Sequence, residues 1–272
     1  MVSEEINIKQ EQLKGRNGTQ IGAQTNIGNM TIIEGPSIEE ITRVFTNLFL
    51  DNFPRLQKIA KETAEERIAE LKEEILSALA SSETKDLSPF MAVDVQYMLY
   101  EAQKNYARFA TPDLLKKLSV LVLKRIQIND EEIAFKATVD KAISIVGMLS
   151  SAQLDYLSLL FITSKVKFNN IFTLEDLKAH FEYLDLVFGC AQRSNWQHLN
   201  MLGCLQLDLP DICKINAKNY NLNISDVQKI CPKNISNLSG DYSVSPLGAL
   251  IGIIHAEQKT SFKFNPKIWI HN

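Results

Sequence analysis

Isoleucine recurs every six residues at Ile21, Ile27 and Ile33, with Gly22 and Gly28 behind the first two, inside a stretch otherwise rich in Asn, Gln, Gly and Thr. An Ile-Gly pair at that interval predicts stacked parallel β rungs that bury the apolar side chain at each corner. Three hexads complete only about one rung, which has no neighbour on which to stack, so the segment predicts a device for pairing with other copies of the chain. After Gly35 the period changes. Pro36-Ser37-Ile-Glu-Glu40 reads as a capping box, and Ile38, Ile41, Val44, Phe45, Leu48 and Phe49 then form one apolar helical stripe. Pro54 is expected to break that helix and start another reaching about Ala80. In the second, Lys and Arg alternate with Glu around the narrow stripe Leu56, Ile59, Ile68, Leu71, Ile75 and Leu79. Such a helix either pairs in a coiled-coil manner or keeps a solvated face in an ordinary bundle.

Ser88-Pro89 and Thr111-Pro112 each place a capping residue before a proline, predicting helices that run to about Phe109 and Asn129. A further helix is expected over Glu131–Leu149, and five antiparallel helices make a bundle. The last part of the chain is less regular. Helices are expected at Ala152–Thr163, at Leu174–Phe188 behind Thr173, at Asn195–Leu202 and at Pro246–Gln258 behind Ser245. Gly203–Leu207 reads as a strand, and the alternation of Ser261–Ile270 as another. The expected fold is mainly α, in three parts. A β-repeat segment covers residues 1–35, a helical bundle 37–150, and an α-rich, winged-helix-like region 151–272.

Composition narrows the function classes. Of 272 residues, 45% are apolar and 22% charged, with a net charge of −3, so no strong general attraction to nucleic acid or anionic membrane is expected. The N-terminus has no basic and apolar leader, and no apolar run approaches the roughly 18 residues of a spanning helix. A cytoplasmic protein without membrane partners is the expectation. Cys190, Cys204, Cys213 and Cys231 form no C-x-x-C pair, and His180, His198, His255 and His271 are scattered without metal or triad spacing. No phosphate loop, dinucleotide fingerprint or nucleophile elbow occurs, so neither cofactor nor catalytic residue is predicted.

Two surfaces remain as candidates. On the third predicted helix, Gln96, Tyr100 and Gln103 share one face, with Arg108 beside it. They offer either a polar-aromatic contact surface for a partner or an inter-helix seam. Gly248 and Gly252 are four apart, which predicts close packing against a neighbouring element. Residues 211–272 hold seven lysines against four acids and no arginine. Lys259, Lys263 and Lys267 are the candidates there for contact with a nucleic-acid backbone, while the lack of arginine argues against base-specific reading.

Asp94-Val-Gln-Tyr-Met-Leu-Tyr100-Glu-Ala-Gln-Lys-Asn-Tyr106-Ala-Arg108, following the Ile-Gly tail, resembles an uncharacterised bacterial family. So do His198-Leu-Asn-Met-Leu-Gly-Cys204 and Tyr242-Ser-Val-Ser-Pro-Leu-Gly248. The last segment also resembles the ending of Abi-alpha proteins, with Ser245 where that pattern has threonine, and the likeness implies a link to antiphage defence. The functional expectation is a non-enzymatic homo-oligomer acting as a sensor or adaptor. The alternatives are a nucleic-acid-binding regulator and an effector enzyme whose site is assembled only by folding.

Overall fold

Two short strands come first. The structure, a computed structural model, describes residues 23–27, 30–34, 38–81, 88–129, 131–189, 196–208, 210–238 and 240–270. β1 (Ala23–Ile27) and β2 (Met30–Glu34) pair antiparallel, with Ile27 opposite Met30 and Ile33 opposite Gln24. The expected parallel rungs are therefore corrected to a hairpin. The reason lies in the connection: Gly28-Asn29 is a two-residue linker of the kind that suits a tight turn. A hairpin satisfies backbone groups within one chain, whereas a lone rung cannot. Residues six apart then occupy unlike places in the ladder. Ile21, Gly22, Gly28 and the capping Ser37 lie outside the described residues, as do the side chains of Ile27 and Ile33.

Helix α1 (Ile38–Ala80) runs unbroken through Pro54. The expected break is corrected too. An internal proline loses one hydrogen bond and costs about 3 kcal/mol, but good helix formers on both sides carry the helix across it. The chain divides within α1 into two compact units, one ending at Glu62 and one beginning at Thr63.

In the second unit, Leu71 and Ile75 of α1 are buried. Arg67 donates to the Ala107 carbonyl at 2.6 Å, and the Tyr106 hydroxyl donates to Glu70 at 2.8 Å, fastening α1 to α2 (Val93–Phe109). Ser88 does not cap α2. A 3-10 turn occupies Ser88–Met91, and Ala92 at the cap position has no side-chain acceptor. By contrast, Thr111 caps α3 (Pro112–Ile126) by accepting from the Leu114 amide at 3.1 Å. α4 (Ile133–Ile145) tightens into a 3-10 turn at Val146–Met148. Capping boxes at Ser150/Gln153 and Thr173/Asp176 start α5 (Ser151–Lys165) and α6 (Leu174–Phe188).

After α7 (Trp196–Met201) come β3 (Leu205–Leu207), α8 (Ile212–Tyr220), α9 (Ile224–Ile230), α10 (Lys233–Ser236), β4 (Tyr242–Val244), α11 (Pro246–Lys259) and α12 (Lys267–Ile270). β3 and β4 pair antiparallel, Leu205 opposite Val244, across three intervening helices. They are not a hairpin of the kind a wing requires. The strand expected at Ser261–Ile270 is corrected: its end is the short helix α12. Pro266 has no amide to give a ladder, its carbonyl accepts from the Trp269 amide, and Phe264 and Trp269 both pack edge-on against Phe161 at 5.4 Å.

The core centres on α5 and α11. α5 is buried from Gln153 to Thr163 and α11 from Gly248 to Ala256, so both are enclosed all round. Glycine makes this approach possible. A Cβ at Gly252 would lie 2.8 Å from the Leu157 carbonyl oxygen, and one at Gly248 would lie 2.0 Å from that of Cys204. The Ser158 hydroxyl sits in the same contact and donates across it to the Gly252 carbonyl at 2.9 Å.

Candidate functional site

The densest chemistry in the molecule is buried between α3, α5 and α11. Asp155 stands in the middle of the apolar run of α5 and is 1% exposed. One of its oxygens accepts from His255 Nε2 and from Lys259 Nζ, both at 2.7 Å. Lys259 also donates to the Val187 carbonyl at the end of α6, at 3.0 Å. Lys117 of α3, equally buried, pairs with Asp113 and donates to Gln258 of α11 at 2.8 Å. Burial opposes ionisation of Asp155 more than any other single factor. The His255 and Lys259 hydrogen bonds, with the Lys259 charge, still hold its carboxyl below the usual range. Burial lowers the pKa of His255, against its bond to Asp155, and lowers that of Lys117 against Asp113. His255 is thus neutral and donates through Nε2, while its buried Nδ1 has no partner.

A carboxylate, an imidazole and an amine in one place would suit proton transfer if substrate could reach them. None of them lines the cavities described here, at Arg125 and at Lys165. What the arrangement does is neutralise charge inside the fold, tying α3, α5, α6 and α11 in one register. Sequence reasoning missed it. The available signals were an aspartate inside an apolar helix and a lysine, Lys117, between Leu114 and Leu118 on the inward face of α3.

A second buried charge, Arg125, is 3% exposed and donates to Asp94 at 2.6 Å and to Asp140 at 2.8 Å. The Arg125 hydrogen bond lowers the Asp94 pKa, whereas burial raises that of Asp140. A cavity of about 410 Å³ opens beside it, lined also by Ser88, Ile128 and Lys136. With both sides of the guanidinium engaged, Arg125 locks α2, α3 and α4 together.

The predicted contact residues fall on the outer face of α2. Gln96, Tyr100, Gln103 and Arg108 are all exposed, and the inward seam consists of Val95, Met98, Ala102, Asn105 and Tyr106. The outer face also carries Val93, 86% exposed, and Tyr97, 66% exposed. Lys104 pairs with Glu101 at 2.7 Å and lies 5.8 Å from the Tyr100 ring, and the Arg108 guanidinium lies 4.8 Å from that of Phe109. Cationic side chains of the same helix thus lie over both rings.

The predicted lysine patch is dispersed by internal pairing. Lys259, although exposed, belongs to the Asp155 network, Lys267 pairs with Glu132 at 2.8 Å, and Lys263 is exposed. Cys204, Cys213 and Cys231 carry free thiols. Burial pushes Cys204 up to about 12. His180 lies against Phe168 and Phe262, and burial lowers it to about 4. Among the described residues no group of three His, Cys, Asp or Glu can hold a metal ion, and no helix is long and apolar enough to cross a membrane.

The Tyr242–Gly248 segment has a structural account. Tyr242–Val244 is β4, Ser245 caps α11 while donating to the Gly203 carbonyl at 2.6 Å, and Gly248 admits the Cys204 backbone. Those roles are structural. Residues 35–240, three quarters of the chain, match the model of an uncharacterised protein family described only by a "-like" label. No curated protein and no solved structure matches the chain.

Proposed function

The chain belongs to that family, and from this premise we propose that it is a non-enzymatic interaction protein working as a homo-oligomer, held together through its β1–β2 hairpin and the first half of α1. One observation carries the reading. Ile38, Ile41, Val44, Phe45, Leu48 and Phe49 form an apolar stripe in the sequence. Of that stripe, the described side chains are those of Ile38, 83% exposed, and half-buried Val44. A helix draws most of its stability from burying such a stripe, so the natural cover is the same stripe on a second copy. Joined copies would display several α2 faces at once, and weak contacts of Tyr97 and Tyr100 with a partner protein gain strength by multivalency. The burial of Asp155 and His255 supports a role without catalysis.

Sedimentation equilibrium on the full chain tests this. The expected mass is a multiple of the 30.7 kDa monomer. Aspartate at Ile41 and Phe45 should reduce that mass to the monomer while the circular dichroism of the second unit persists. A wild-type chain that sediments as a monomer at micromolar concentration overturns the proposal.

A further inference from the structure

Two neighbouring cavities have Lys165, the last residue of α5, in their walls. The first, about 180 Å³, has an apolar side formed by Val244, Pro246, Ala249 and Trp269 and a polar side with Gln206 and Ser245. The second, about 290 Å³, is ringed by charge: Lys165 and Lys214 against Asp208 and Asp211. The second lies close to the lower end of the roughly 300–1,000 Å³ of small-molecule sites. Their floor is firm, because Ser243, Val244, Ser245 and Ala249 are all buried, and the Ser243 hydroxyl is held by Gln206 Nε2 at 3.3 Å.

Lys165 is half-buried and makes no hydrogen bond or ion pair among the described residues. It shares the second cavity with Lys214, Asp208 and Asp211 and stands at the carbonyl end of α5. It is thus placed to receive a carboxylate. The rim is balanced in charge, which suits neither a plain anion nor a plain cation, and the apolar lobe beside it accepts a hydrocarbon or aromatic group. We infer that this cleft binds a free α-amino acid with a large apolar side chain. The carboxylate sits at Lys165 and Lys214, the ammonium faces Asp208 and Asp211, and the side chain enters the lobe under Trp269.

Calorimetric titration of the full chain with L-phenylalanine tests the assignment. Glycine, phenethylamine and 3-phenylpropionate each lack one of the three recognised features. Saturable binding of phenylalanine is expected, with each analogue at least about tenfold weaker. Lys165→Met should weaken phenylalanine binding by a similar factor with an unchanged circular-dichroism spectrum. Ala249→Leu, which fills the apolar lobe, should weaken phenylalanine and leave glycine as it was. The inference is overturned by the absence of any heat at millimolar phenylalanine, by analogues that bind as tightly, or by full binding in a folded Lys165→Met protein.

Discussion

Helix α11 and the first half of α1 start from similar sequence patterns, and the described side chains of the two differ in burial. Both carry closely spaced Ile, Leu, Val or Phe. α11 is enclosed from Gly248 to Ala256, whereas α1 from Ile38 to Ala60 has no fully buried side chain among those described. The difference is one of neighbours. Two glycines let α11 lie against the backbone of other elements, and a balanced set of charges closes its end. In the first half of α1 the residues between the apolar positions are charged or polar, and no glycine invites close approach. Enclosed helices stabilise a chain by themselves, while an uncovered stripe stabilises it only when another surface arrives.

The contrast can be broken most severely at Asp155. Asp155→Ala removes the shared counter-charge of Lys259 and the acceptor of His255. It should destabilise the second unit by about 3–5 kcal/mol, read as a lower urea midpoint. Next is Gly248→Ala, whose Cβ meets the Cys204 carbonyl oxygen. Overpacking of this kind costs about 1–3 kcal/mol, measured in the same way.

A comparable effect is expected from acid. His180 falls from 6.5 in the unfolded chain to about 4 in the fold. The fold therefore favours the neutral ring. This contribution is harmless above pH 6.5 and erodes stability as the pH drops toward 4, by about 3 kcal/mol in full. The lowered pKa values of His255 and Asp155 act in the same direction. His180→Phe, set between Phe168 and Phe262, should visibly flatten the fall in melting temperature between pH 6.5 and 4; an unchanged slope would remove His180 as a cause.

The smallest effect belongs to the exposed surfaces. Tyr100→Ala on the outer face of α2 should shift stability by less than about 0.5 kcal/mol. A larger shift in the urea midpoint would mean that this face is covered.

Several helix starts were legible from local chemistry, although the caps Ser150, Asp211 and Asn223 were missed. Thr111, Thr173 and Ser245 cap the helices predicted behind them. Ser88 failed because its proline leads only into a 3-10 turn. Pro54 failed because a single lost bond is outweighed by the residues on either side. The alternation at Ser261–Ile270 failed because Phe264 and Trp269 find Phe161 one at a time, not as one face of a strand. Of the candidate surfaces, the α2 face was read correctly as a set of neighbours. That Lys259 and Lys267 are committed to Asp155 and Glu132 was hidden, since those partners lie 104 and 135 residues away.

The sequence alone therefore determined the helical character of the chain, most helix ends, the neighbours on the α2 face and the close approach at Gly248 and Gly252. Each depends on residues within one or two turns of one another. Tertiary structure decided which charges meet in the core and which lysines are paired. Those outcomes depend on groups brought together from distant parts of the chain, and no local spacing encodes such meetings.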